Sequence, residues 1–133
     1  GLGMNVTELL ENTALRGAVV QDLNRLPALP FADDSFDACL ISFSIQYLTQ
    51  PVRVLADVAR VLQPGGAFYV AYTNRMFPTK AVAVWQACSD VERGQLIGGY
   101  LAEAGGYADF ATERLVEGGT GFDPLYVVSV RRA

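Results

Sequence analysis

Short apolar runs alternate along the chain with stretches of helical period, and that alternation fixes the architecture. Ala18-Val19-Val20-Gln21-Asp22-Leu23 is a compact β-branched run ending in polar residues, as a buried parallel strand does where it meets its loop. A strand is therefore predicted over 18–23, with Asp22 at its carboxyl end. A second buried strand is predicted over 36–43, where Phe36-Asp37-Ala38-Cys39-Leu40-Ile41-Ser42-Phe43 is almost continuously apolar. Over 50–62 the period changes: Val52, Leu55, Val58, Ala59 and Leu62 fall on one helical face, and Arg53, Asp57 and Arg60 on the other. Thr49 can cap that helix and Pro51 suits its first turn. Gly65 and Gly66 then give the backbone freedom to stop the helix and turn into a third strand over 67–73.

The flanks complete the order. Asn5-Val6-Thr7-Glu8 has the form of a capping box and predicts a short helix over 6–14. The loop 24–35 holds two prolines and two adjacent aspartates. Residues 78–104 are helical in pattern but break at Ser89-Asp90, where Ser89 can cap and Glu92 sits three residues on, so two successive helices are expected. Gly105-Gly106 ends them, 107–116 reads as a strand, 118–121 as a glycine turn, and 125–130 as a final apolar strand. The last two strands form an antiparallel hairpin on this reading. The fold class is α/β: a Rossmann-like, mostly parallel sheet with helices on both faces and a closing hairpin.

Composition narrows the chemistry. At 133 residues the chain corresponds to one domain. Apolar residues make up 51% and charged residues only 18%, so much of the chain packs inside or against a partner. The net charge is −4 and the basic residues, nearly all arginine, are scattered, which argues against nucleic-acid binding. No histidine is present, which removes Ser-His-Asp and Cys-His nucleophilic chemistry and any His-dependent metal site. Cys39 and Cys88 lie in an apolar strand and a helix and read as buried free thiols in a reducing cytoplasm. No apolar run approaches the roughly 20 residues needed to span a bilayer, and no basic-then-apolar leader opens the chain. A soluble, cytoplasmic protein without a membrane partner is expected. The chain opens at Gly1 rather than Met, as a fragment, a processed product or a tagged form would.

In open α/β sheets, ligands bind beyond the carboxyl ends of the strands. The tips here are Asp22-Leu23, Phe43 to Tyr47, and Thr73 to Phe77. Asp22 can accept from the exocyclic amine of a purine while the Leu23 amide meets a ring nitrogen; alternatively Asp22 is a solvated loop residue or a cap. Tyr47 either orients an acceptor hydroxyl or amine or packs beneath the following helix. Asn74 and Arg75 either hold an anionic substrate group or lie exposed in a loop. Asp33, Asp34 and Asp37 read as solvated or capping residues rather than a metal site. Trp85, with Val84, Cys88 and Val91, reads as core or interface.

Gln21-Asp22-Leu23, Leu29-Pro30-Phe31, Asp34-Ser35-Phe36-Asp37, Ile45-Gln46-Tyr47-Leu48 and Arg60-Val61-Leu62-Gln63-Pro64-Gly65-Gly66 stand in an order and spacing that resembles the class I S-adenosylmethionine-dependent methyltransferases, of the small-molecule, methyltransferase-11-like kind. The resemblance covers 1–78 well and the remainder loosely. It implies S-adenosylmethionine as cofactor, with Asp22 and Leu23 at adenine and Ser42, Phe43 and Ser44 under the methionine part. It implies a small-molecule acceptor faced by Gln46, Tyr47, Asn74 and Arg75. Methyl transfer to a nucleophile depends mainly on positioning, so the absence of histidine is no obstacle. The family's glycine-rich loop and central strand precede the region of resemblance and have no counterpart. The ribose-binding acid aligns near Gly3, where Asn5 is the available substitute. These departures imply a truncated domain whose unpaired inner edge invites a homodimer. The alternative is a non-catalytic interaction or structural module of the same fold. A nucleotide-binding oxidoreductase is disfavoured, since both the dinucleotide fingerprint and a ribose acid are lacking.

Overall fold

A computed structural model describes residues 1–118 and 123–133. Among the described residues six strands and four helices occur in the order β1 (Leu2–Gly3), α1 (Val6–Glu11), β2 (Val19–Val20), β3 (Phe36–Ser42), α2 (Pro51–Val61), β4 (Leu62–Tyr72), α3 (Ala83–Gln86), α4 (Asp90–Ala104), β5 (Tyr107–Val116) and β6 (Leu125–Arg132). A single 3-10 turn, Ile45–Tyr47, follows β3. The α/β class and the closing antiparallel hairpin are as read from the sequence, but the larger sheet is mixed rather than mostly parallel, with one parallel and two antiparallel pairings. The glycine turn expected over 118–121 lies, past Gly118, outside the described residues.

The strands make two sheets. β1 pairs with β2 in parallel, and the larger sheet runs β3-β4-β6-β5, with β3 parallel to β4 and β6 antiparallel to both its neighbours. Among the described residues neither β1 nor β3 has a second strand partner, so each presents one open edge.

The core lies between the larger sheet and its helices. Phe68, Val70 and Tyr72 of β4 and Val128 and Val130 of β6 alternate onto one face, where they meet Leu55 and Val58 of α2, Ile97 and Leu101 of α4, Trp85 and Ile45. Leu40 and Tyr69, paired in register, point to the opposite face and are exposed. Tyr107 joins the layers: its hydroxyl donates to the Leu55 carbonyl at 2.6 Å.

Several elements differ from expectation, each for a local reason. α1 stops at Glu11 instead of 14 because Asn12 leaves helical geometry and its side chain accepts from Ala14 N, an alternative to the helical ladder. The strand over 18–23 shrinks to Val19–Val20, since Asp22 heads a turn: its carbonyl accepts from Arg25 N and Leu26 N, and its carboxylate from Asn24 N. Thr49 does not cap α2. Gln50 occupies that position, and Thr49 N donates to Asn24 Oδ1. The capping box at Ser89 and Glu92 forms in full.

The largest difference is at Pro64-Gly65-Gly66. The helix already ends at Val61 and β4 begins at Leu62, so the glycines do not stop the helix. They form a bulge within β4: Phe36 pairs with Leu62 and Ala38 with Ala67, so the four residues Gln63 to Gly66 stand opposite Asp37 alone. Gly65 has φ +79°, and a Cβ on Gly66 would lie 2.8 Å from the Gln63 carbonyl oxygen and 3.1 Å from that of Asp37. Both positions therefore need glycine, one for its backbone angle and the other for its close approach.

Candidate functional site

The turn at the end of β3 carries a constrained backbone. Phe43 continues the ladder by donating to the Ala71 carbonyl at 2.9 Å, yet its φ is +55°. For a bulky non-glycine residue this left-handed backbone costs about 1–2 kcal/mol and persists only where surroundings impose it. The Gln46 side chain supplies that restraint by donating from Nε2 to the Phe43 carbonyl at 3.1 Å. Gln46 is 3% exposed, its own carbonyl accepts from Val82 N, and its Oε1 has no partner among the described residues. It is a buried support for the turn.

Tyr47 follows. Its hydroxyl accepts from the Phe77 amide at 3.0 Å and its ring lies 6.3 Å from that of Phe77. Its carbonyl accepts from Asn24 Nδ2 at 2.9 Å, while Asn24 Oδ1 accepts from Thr49 N. Asn24 thus clamps the turn carrying Asp22 and Leu23 to the segment after β3. This residue carries no signal in the sequence, being one polar loop position among several.

Leu23, Ser42 and Ser44 come together in one cleft of about 430 Å³ between β1 and the open edge of β3, with Leu2, Cys39 and Val58 in its walls. That volume is within the range of small-molecule sites. The walls are mostly apolar, and the two serine hydroxyls provide polar groups near the carboxyl end of β3. Burial pushes the Cys39 thiol up to about 11, so it lines the cleft as a neutral group. Asp22 stands beside Leu23, half-buried; one carboxylate oxygen is held by Asn24 N and the other has no partner among the described residues. Asn5, at the β1 end, is engaged in capping α1, its Oδ1 accepting from Glu8 N at 3.1 Å.

Asn74 and Arg75 lie outside this lining and are exposed. Arg75 reaches across to Asp123 at 2.8 Å. Phe43 projects its ring outward, 46% exposed. The aspartates of the loop divide between two arginines: Asp33 pairs with Arg60 and Asp34 with Arg132. They are ion-paired rather than simply solvated.

Arg60 ties the site's outer loop to α2. Its guanidinium donates to the carbonyls of Leu29 and Phe31 and pairs with Asp57 and Asp33, and Asp57 in turn accepts from Leu29 N. The Leu29-Pro30-Phe31 and Arg60-to-Gly66 stretches, separate along the chain, are thereby in contact.

Residues 5–70 match the family model described as a methyltransferase domain. Among curated proteins, a demethylmenaquinone methyltransferase of Renibacterium salmoninarum is 52% identical over 44 residues, covering 33% of this chain and 19% of that protein. A ubiquinone/menaquinone biosynthesis C-methyltransferase of Paracoccus denitrificans is 51% identical over 49 residues, 37% of this chain and 20% of that protein. The chain thus spans about a fifth of the length of these relatives. Among solved structures, an S-adenosylmethionine-dependent methyltransferase from Archaeoglobus fulgidus aligns over 99% of this chain and 75% of its own, with TM-score 0.68 at 14% identity. One from Mesorhizobium loti aligns over 99% and 79%, with TM-score 0.66 at 18% identity. These structures share the fold.

Proposed function

The chain belongs to the class I S-adenosylmethionine-dependent methyltransferases, and we propose that its cleft at the end of β3 binds that cofactor and presents its methyl group to a small-molecule acceptor. The observation that carries this reading is the convergence of Leu23, Ser42 and Ser44 on one cleft beside the strained turn at Phe43. The residues fit the group in part. Asp22 has one carboxylate oxygen to accept an adenine amine, and Leu23 offers apolar cleft wall. Ser42 and Ser44 serve the methionine end, and Phe43, outside the lining, shapes the turn between them. The Gly1-to-Asn5 side fits less well, having no carboxylate for ribose, with Asn5 Oδ1 already engaged.

The cofactor, when bound, supplies a methyl group made electrophilic by a sulfonium. The chain's own work is positional. Gln46 fixes the turn, Asn24 fixes the Asp22 loop against it, and the Tyr47 hydroxyl, accepting from Phe77 N, retains its proton to donate to an acceptor oxygen. The names of these relatives, one of them a ubiquinone/menaquinone biosynthesis C-methyltransferase, support a quinone-type ring methylated at carbon as acceptor. We place this activity in the reducing cytoplasm, consistent with two unpaired cysteines; a homodimer paired along the open β3 edge would occupy the cleft and so belongs with the non-catalytic reading. No helix among the described residues is long and apolar enough to cross a membrane.

Calorimetry of the full chain with S-adenosylmethionine and its demethylated product tests the reading. Saturable binding, weakened at least tenfold by Asp22→Ala, is expected. No heat at millimolar cofactor would sink it and favour the non-catalytic module, a reading that the two facing strand edges support. Sedimentation giving a clean monomer would remove the homodimer without touching the cofactor site.

A further inference from the structure

A second cleft, of about 620 Å³, opens at the opposite edge of the larger sheet, between α4 and the β5–β6 hairpin. It is separate from the cleft at β3. β3 and β5 are the two edges of the sheet, three strand spacings or about 14 Å apart. We propose that this second cleft is a binding site for a flat, uncharged aromatic molecule carrying an N–H or O–H donor.

The walls give the ring. Tyr72 and Tyr126 stack with centroids 5.1 Å apart and planes 14° from parallel, and Phe110 and Val91 stand at the mouth 49% and 70% exposed. Apolar side chains left open around a concave site of this volume are the ordinary lining for an aromatic ligand. The cleft stays open because α4 presents glycine here. A Cβ on Gly98 would meet nothing within 4 Å, although glycine in a helix interior is about 1 kcal/mol worse than alanine.

Asp90 gives the donor requirement. It is the first residue of α4 and lines the cleft with its side chain 30% exposed. Its carboxylate is held loosely, by the Tyr126 hydroxyl at 3.3 Å and Arg93 at 3.4 Å, while its backbone carbonyl accepts from the Tyr72 hydroxyl at 3.0 Å. A carboxylate has about four acceptor positions, so two long bonds leave capacity for a ligand donor. The neighbouring Arg93 guanidinium, fixed over the Trp85 ring, offsets the Asp90 charge, so an uncharged donor suffices here.

Calorimetric titration of the full chain with indole, compared with 1-methylindole, tests the assignment. Indole should bind saturably, and 1-methylindole, which has no donor, about tenfold more weakly, the loss of roughly one hydrogen bond to a charged acceptor. Gly98→Leu, which puts a side chain into the cleft, should weaken indole binding at least tenfold while the thermal midpoint holds or rises. Gly99→Ala, on the exposed side of α4, should raise the midpoint and leave binding unchanged. Phe110→Asp, at an exposed wall position that leaves the core intact, should also weaken binding. Absence of saturable heat with indole, equal affinity for 1-methylindole, or undiminished binding in Gly98→Leu or Phe110→Asp would each overturn the site.

Discussion

The guanidinium of Arg60 donates to the carbonyl oxygen of Phe31 at 2.8 Å, across 29 residues of chain. The loop bearing Leu29 and Phe31 is thus held by a residue of α2, with Leu29 O on the same side chain. Replacing Arg60 by Ala should free this loop: hydrogen exchange at 29–33 accelerates while exchange in α4 is unchanged. Asp33→Ala should matter little, within about 0.5 kcal/mol in urea unfolding, because its carboxylate is 74% exposed and such pairs are weak.

Acid should act at the same place. Hydrogen bonding to Arg60 holds the Asp57 carboxyl below its usual range. A depressed folded value means that the ionised form stabilises the native state at neutral pH. This contribution is present above the ordinary carboxylate value near 4 and is lost as pH falls through the lower folded value. Urea unfolding from pH 6 to 2 should therefore show a loss of stability below pH 4, and Asp57→Asn should reduce that loss.

Two adjacent glycines should respond for different reasons. Gly65→Ala meets no atoms but is strained by φ +79°, and should cost about 1–2 kcal/mol. Gly66→Ala drives a Cβ against two backbone oxygens that cannot swing aside, and should cost more. Denaturant midpoints of the two variants check the order.

How much of this is readable in the sequence depends on how local its causes are. Helix α4 is readable because both halves of its cap, Ser89 and Glu92, lie within one turn. The strand at Val19–Val20 is overestimated because Gln21 and Asp22 turn away through bonds to Leu26 and Asn24, which a run of apolar letters does not reveal. Pro64-Gly65-Gly66 has the composition of a turn, yet becomes a bulge because Asp37 of the neighbouring strand lies against Gly66. Among the site residues, Leu23, Ser42 and Ser44 share a cleft because strand ends are placed by the sheet. Gln46 and Tyr47 have structural partners in Phe43 and Phe77 that lie beyond the reach of spacing arguments.

Cys39 should be slow to alkylate. With its thiol pushed up to about 11 from 9.0, its thiolate fraction at pH 8 is roughly 100-fold below that of a free cysteine, and iodoacetamide should modify it correspondingly slowly. The raised value has a stability consequence. The advantage of the neutral buried thiol is fully present below pH 9 and is lost as pH rises towards 11. Cys39→Ser should reduce the stability loss measured between pH 8.5 and 10.5.

Tyr47→Phe should remove the acceptor for the Phe77 amide. Faster exchange of that amide, with a loss of about 1 kcal/mol, is the expected structural effect. If the hydroxyl also donates to an acceptor molecule, kcat/KM in a methyl-transfer assay falls by more than the stability loss explains, and Tyr47→Trp does not restore it.

The division of strands between β1 and β3 has a consequence for cooperativity. Residues 1–20 form a small sheet-and-helix unit that continues into the larger one through the 21–35 segment and meets it across a cleft. Such a unit can open with a lower free energy than the core around Phe68 and Leu55. A molecule seated in the cleft would touch both units at once. Its occupancy would make them melt as one, so the difference in exchange rate between Val19 and Val70 becomes a direct gauge of how full the cleft is.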